Sequence, residues 1–352
     1  MSKFLTEVIA GTIAASVAIC TMGVGSVLAG DAQTDPTVTI SLANYDTENS
    51  FTVRCIEKFI EYAEDASGGS IQFRTSYGGT LCSMAEEYEY LKSGSIDMVA
   101  CLPPFYMAEL PYLYAVNNTV GEQDVIDYIN WLWFENEETA ALVEKYTEQA
   151  GVVLLGSVDA GTTIIATTYE ASSFDDMKGS HTLGGARDAD VYISLGFNVA
   201  TVDTTDAYDS LQRGVCDSYA YTPSSYYTNN IYEVAPYFVD TKIYGNSNTY
   251  LVSAMKWATL TENQQQIMRD AMKVAQKFSV ETNTQAVIDA QGVSKENAVV
   301  SEEESTNLCQ LMEMSTNTIL LTYAENLGTT EDMMAFIKAK EEYTGITQTP
   351  AN

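Results

Sequence analysis

The chain has 352 residues and carries 48 Asp and Glu against 17 Lys and Arg, a net charge of −31. So few bases exclude general nucleic-acid binding, which needs a basic face to displace counterions, and argue against docking on anionic lipid. With 46% apolar and 11% aromatic residues this is no disordered acidic tail, and the length suits two domains of roughly 150 residues each.

The amino terminus reads as a targeting segment. Lys3 precedes a largely apolar run, Val8 to Ala29, that ends in Val27-Leu28-Ala29 before Gly30-Asp31. Val27 and Ala29 suit a signal-peptidase site, so residues 1–29 are read as a leader cleaved after Ala29. A permanent anchor is the alternative, since the run is long enough to cross a bilayer. Its many small residues favour cleavage. The mature chain is then expected to be exported and soluble, and periplasmic or otherwise extracytoplasmic. Its cysteines, Cys55, Cys82, Cys101, Cys216 and Cys309, are odd in number and widely spaced with no CxxC. They suit buried small hydrophobes with at most one or two bridges.

Val38–Leu42 alternates like a strand, and Asn44 to Asn49 is a polar loop. Phe51, Cys55, Ile56, Phe59 and Ile60 recur at helical spacing until Gly68-Gly69. Ile71–Thr75 is a second strand, and a helix is expected from about Ser83 to Lys92. Met98–Leu102 is a buried strand, Asp124 to Glu148 one long helix, and Gly151–Val158 another buried strand. This alternation predicts an α/β lobe with a largely parallel sheet.

A second lobe is expected from about Gly156. Thr162–Thr168, His181–Leu183, Asn198–Val202, Asp217–Tyr221 and Phe238–Ile243 read as strands. Ala189–Leu195 and Asp206–Gln212 read as helices. Tyr250–Ala254 returns to strand, and Thr261 is a candidate cap for a very long helix, about Glu262 to Gln291. Glu302–Asn326 is a further helix. The expected division is a leader (1–29), lobe I (36–155, completed by parts of 250–330) and lobe II (156–249). An interlobe strand and long helices (250–340) and a flexible tail (341–352) follow.

Catalytic motifs are scarce. The single histidine, His181, would have to serve any imidazole mechanism, and a lone His is more often a structural hydrogen-bonding residue. No GxSxG, HExxH, Walker A or EF-hand pattern occurs. Asp188-Ala189-Asp190 begins like a calcium loop but lacks its Gly and closing Glu. No catalysis, cofactor or metal is therefore expected. One bias stands out: residues 206–250 hold nine of the 23 tyrosines. Most suit strand and core packing. Tyr208, Tyr219 and Tyr221 are candidates for a ligand cleft, where a flat apolar face with one hydroxyl is useful.

The order of several short motifs resembles the extracytoplasmic solute receptors (DctP-like) of tripartite ATP-independent periplasmic (TRAP) transporters, from about Val38 to Leu320. In the first lobe these are Thr75-Ser76-Tyr77-Gly78-Gly79-Thr80-Leu81, Glu86, and Leu91-Lys92-Ser93-Gly94-Ser95-Ile96-Asp97-Met98. In the second they are Phe174-Asp175-Asp176-Met177-Lys178-Gly179, Leu195-Gly196-Phe197-Asn198, and Asp206-Ala207-Tyr208-Asp209-Ser210-Leu211-Gln212-Arg213-Gly214-Val215-Cys216-Asp217. The resemblance implies a two-lobed, periplasmic-binding-protein-like α/β fold with a long helix spanning both lobes. It implies a receptor that captures a small organic molecule between the lobes and delivers it to membrane subunits driven by an ion gradient. A monomer is the default.

The family's carboxylate-clamping arginine falls at Leu183 and a second family arginine at Thr163, while a frequent Asn falls at Tyr221. The helix Glu is kept as Glu86. A buried carboxylate opposite Leu would go unpaired. The expected ligand is therefore neutral or cationic, held by tyrosine faces and an acid such as Glu86 or Asp159, unless Arg187 reaches back to replace the clamp. Asn44, Tyr45 and Thr204 complete the candidate ligand-binding set. Competing functions are an exported ligand sensor for a signalling partner and a carboxylate-dependent exported enzyme.

Overall fold

The computed structural model describes residues 35–116, 125–184, 189–200, 206–244 and 248–347. The leader, Arg187 and Thr204 lie outside them. Eleven described strands form two sheets. They are β1 (Val38–Ala43), β2 (Ile71–Ser76), β3 (Met98–Cys101), β4 (Val152–Val158), β5 (Thr162–Thr167), β6 (His181–Gly184), β7 (Asn198–Ala200), β8 (Ser218–Tyr221), β9 (Tyr237–Tyr244), β10 (Asn248–Ser253) and β11 (Glu296–Val299). The first sheet has the order β2-β1-β3-β10-β4 and the second β11-β9-β5-β8-β6-β7.

The first sheet is mixed rather than largely parallel. β1 runs parallel to β2 and β3, but β10 is antiparallel to both β3 and β4. The reason is chain path. β4 carries the chain out towards the second sheet and β10 brings it back, so the outgoing and returning strands lie side by side. Asn248 pairs with Val158 in the first sheet, and Thr162 pairs with Tyr244 in the second. The ends of the outgoing crossing, 159–161, therefore lie beside the strand ends Tyr244 and Asn248 between which the chain returns.

A third connection is the helix Glu262–Val293. Thr261 opens it with a capping box: its side chain accepts from Gln264 N, and the Gln264 side chain returns a bond to Thr261 N. Met268, Ala271, Met272 and Ala275 enter the core beneath β1 and β10, whereas Ala290 enters the core of the second sheet with Tyr219, Tyr226 and Phe238. One helix thus belongs to both hydrophobic cores.

Three expectations fail for local reasons. The 124–148 helix is broken into Val125–Asn130, a π-helical turn at Trp131–Glu135, and Glu137–Ala150. Asn136 turns extended, and its side chain accepts from Thr139 N, restarting the helix as a cap. The helix expected from Ser83 starts only at Glu87, because the Glu86 carboxylate folds back onto Ser83 N and Oγ. The tail expectation fails at 341–344, which belong to a helix, Thr330–Thr344. Lys340 of that helix is fully buried on Glu313 and Asn317, and the Tyr343 ring lies 4.9 Å from Trp131. The Pro223–Thr228 helix, opened by Thr222 as cap with Pro at its first position, and edge strand β11 are further elements.

Candidate ligand-binding site

A cavity of about 730 Å³ opens beside the paired crossings, within the size range of small-molecule sites. One wall comes from the loop after β1 and the first turn of the Phe51–Ala66 helix: Tyr45, Asp46, Asn49, Ser50, Thr52 and Arg54. The opposite wall comes from the second sheet: Thr163 of β5, Tyr221 of β8, and Thr222, Ser225 and Thr228 of the following helix. Ala160, Gly161, Asn248 and Asn283 close the floor at the crossings and the long helix.

Local chemistry fixes these walls. Asn44 is buried and donates from Nδ2 to Ala100 O at 2.7 Å, while its Oδ1 accepts from Asp46 N at 2.9 Å. It shapes the loop that presents Tyr45 and Asp46. Ser50 accepts from Val53 N at 3.1 Å, which starts the first-lobe helix at the cavity edge. On the other side Thr222 caps Pro223–Thr228 by accepting from Ser225 N at 3.3 Å.

The crossing is braced through its backbone. Asp159 N donates to Ser279 Oγ at 3.0 Å, and Asp159 O accepts from Asn283 Nδ2 at 2.8 Å. The Asp159 carboxylate accepts from Gly161 N at 2.8 Å. Gly161 has φ +91°, and an added Cβ there would stand 3.0 Å from Asn283 Oδ1. Only a residue without a side chain suits both the backbone and the approach of the long helix.

Of the sequence-derived candidates, the cavity brings together Tyr45, Thr163 and Tyr221. Tyr219 stands behind Tyr221, with ring centroids 4.9 Å apart, and its hydroxyl shares a 2.7 Å bond with Ser225 Oγ. Asn44 and Asp159 act on the cavity through its backbone. Glu86 lies away from the cavity: it is exposed, and Ser83 holds its carboxylate below the usual range. Tyr208 also lies elsewhere, donating to Glu233 Oε2 at 2.8 Å. Leu183 is buried among Ile164, Leu211 and Tyr219, so its side chain serves the core of the second lobe. Arg187 and Thr204 lie outside the described residues.

Arg54, Asn248 and Asn283 also line the cavity and are not among the sequence-derived candidates. Arg54 had a usable signal, being one of only five arginines and one turn beyond a Ser cap. Asn248 and Asn283 had none, because the long-range return of β10 and the long helix places them there. Cys55, next to Arg54, faces inward, and burial pushes its thiol up to about 12. It and Cys82, Cys101 and Cys216 are free and buried, in keeping with a packing role; the side chain of Cys309 is outside the described set.

Two α/β lobes joined by paired crossings, with a polar cavity between them, define a solute-binding protein. The chain belongs to bacterial extracellular solute-binding protein family 7, DctP, whose family model matches residues 42–326. A solute-binding protein of Sulfitobacter sp. strain NAS-14.1 is 22% identical over 86% of this chain and 92% of its own length. Among solved structures, a TRAP periplasmic solute-binding protein of Rhodobacter sphaeroides, in an apo open form, has a TM-score of 0.72 at 18% identity, covering 86% of this chain and 98% of that one. One from Sulfitobacter sp. NAS-14.1 with bound β-D-galacturonate has a TM-score of 0.62 at 20% identity, covering 84% and 99%. The family and these relatives give the sensor alternative no support. Among the described residues no helix is long and apolar enough to cross a membrane.

Proposed function

We propose that this chain is exported, loses residues 1–29, and acts as a monomeric receptor that delivers a small polar solute, without turnover, to the membrane subunits of a TRAP transporter. The observation that carries this is the cavity itself: hydroxyl and amide groups from both lobes converge beside the outgoing crossing. Such a lining suits a polyhydroxylated molecule, whose hydroxyls need partners once buried. Closure about the crossing at 159–161 would complete the burial.

The galacturonate bound by the Sulfitobacter relative is consistent with a sugar-sized solute. The family's two clamp positions are Thr163, which offers a hydroxyl, and Leu183, which is in the core. Recognition on the second-lobe side therefore relies on hydrogen bonds rather than on those arginines. Calorimetry on the mature chain, unfolded and refolded to remove retained solute, tests this with a panel of sugar acids, neutral sugars, dicarboxylates and amines. Saturable binding at one molecule per chain, with the solute recovered unchanged, is expected. Chemical conversion of a panel member, or no binding by any of them, would refute it.

A further inference from the structure

The first-lobe wall combines the start of a helix with a cation. The helix Phe51–Ala66 is 16 residues long, and its first turn carries no acidic residue. The amides of Phe51 and Thr52 precede the first intrahelical donor, Arg54 N, which bonds Ser50 O, so this end is electropositive and faces the cavity. Arg54 adds a full positive charge. It is exposed at the cavity, its guanidinium lies 6.0 Å from the Phe51 ring, and it forms no ion pair among the described residues. It is also the one Lys or Arg among the described lining residues.

Asn248 supplies the independent observation. It is 4% exposed and lines the same cavity. Its Nδ2 donates to Thr52 Oγ1 at 3.2 Å, which ties it to the first turn of that helix, but its Oδ1 has no hydrogen-bond partner among the described residues. A buried amide oxygen without a donor is unfavourable, and turning it towards a solute hydroxyl in the cavity beside Thr52 would satisfy it.

We propose that Arg54 and Asn248 form a first-lobe anchor for a hydroxy-monocarboxylate. Arg54 pairs the carboxylate, and Asn248 accepts from a neighbouring hydroxyl of the same molecule. Asp46, the one acid among the described lining residues, disfavours a second carboxylate and suits further hydroxyls. Anion pairing thus moves from the second lobe, where Thr163 and Leu183 stand, to the first. This replaces the expectation of a neutral or cationic ligand, because Arg54 supplies the positive charge that Thr163 and Leu183 do not. The inference rests on the receptor reading above.

The test uses the refolded mature chain and calorimetry with D-galacturonate, D-gluconate and L-lactate, with D-galactose as the neutral match and a dicarboxylate and an amine as controls. At least one hydroxy-monocarboxylate is expected to bind, more tightly than D-galactose. Arg54→Gln is expected to weaken it at least about tenfold, with Arg54→Lys falling between. Asn248→Ala is expected to weaken it several-fold, with circular dichroism confirming its fold; exposed Arg54 supplies the arm that does not depend on a core substitution. Equal binding by wild type and Arg54→Gln would overturn the anchor and leave the receptor intact, as would binding of only neutral or cationic solutes. Failure of every compound with the wild type would overturn both.

Discussion

Glu87 shows how much a single buried carboxyl carries. It is fully buried, Tyr106 donates to its Oε2 at 3.2 Å, and its Oε1 has no partner. Burial, with the charge of Asp46 adding to it, pushes the carboxyl up to about 8 from 4.5. The folded state therefore holds the proton more tightly than the unfolded one. This contribution to stability is full below about pH 4.5 and is lost as the pH rises through about 8. Relative to Glu87→Gln, the wild type is expected to lose on the order of 3–5 kcal/mol between pH 5 and pH 9. Urea unfolding of both proteins across that range measures it, and parallel pH profiles would contradict it. Lys340 is the complementary case. It is buried on Glu313, so Lys340→Met strands a buried charge and is expected to cost about 3–5 kcal/mol, most of it recovered in Lys340→Met with Glu313→Leu. No recovery in the double variant would argue against the pair. At this scale the sequence is informative where chemistry is local: Tyr45, Thr163 and Tyr221 are candidates from sequence and line the cavity. Glu86 was not readable, because its bond to Ser83 turns it away. Leu183 was not readable as a core residue, because its place among Ile164, Leu211 and Tyr219 depends on long-range packing.

At the scale of elements, regular periodicity was legible and its interruptions were not. β1, the Phe51–Ala66 helix and the Thr261 cap follow directly from alternation, helical spacing and a Thr before a helical run. The π-helical turn at Trp131–Glu135 escaped, since nothing in hydrophobic spacing marks where Asn136 restarts a helix. The antiparallel insertion of β10 escaped for a different reason: it depends on the chain's return from the second sheet, a contact between residues 158 and 248. The same return makes Gly161 critical. Gly161→Ala forces a side chain into a left-handed backbone and against Asn283, at about 1–3 kcal/mol. The bond from Asn283 to Asp159 O is expected to loosen with it. A melting temperature lowered by several degrees is expected, and an unchanged one would show that the crossing does not depend on this close approach.

For the whole molecule, the charge of −31 excluded nucleic acid but says little about the cleft, where one described cation and one described acid line the wall. The two sheets share the long helix and the paired crossings, so a solute touching both walls stabilises the assembly as a unit. At a solute concentration 100 times its Kd, folding should gain about 2.7 kcal/mol, seen as a higher denaturant midpoint with unchanged slope; no shift would mean the solute does not favour the folded state. The most direct test of the receptor is native mass spectrometry of the mature chain purified without unfolding, then titrated with the hydroxy-acid, sugar, dicarboxylate and amine panel after refolding. The expected result is one small organic molecule per chain, lost on unfolding and regained from the panel. A bare-chain mass that no panel member changes would contradict it.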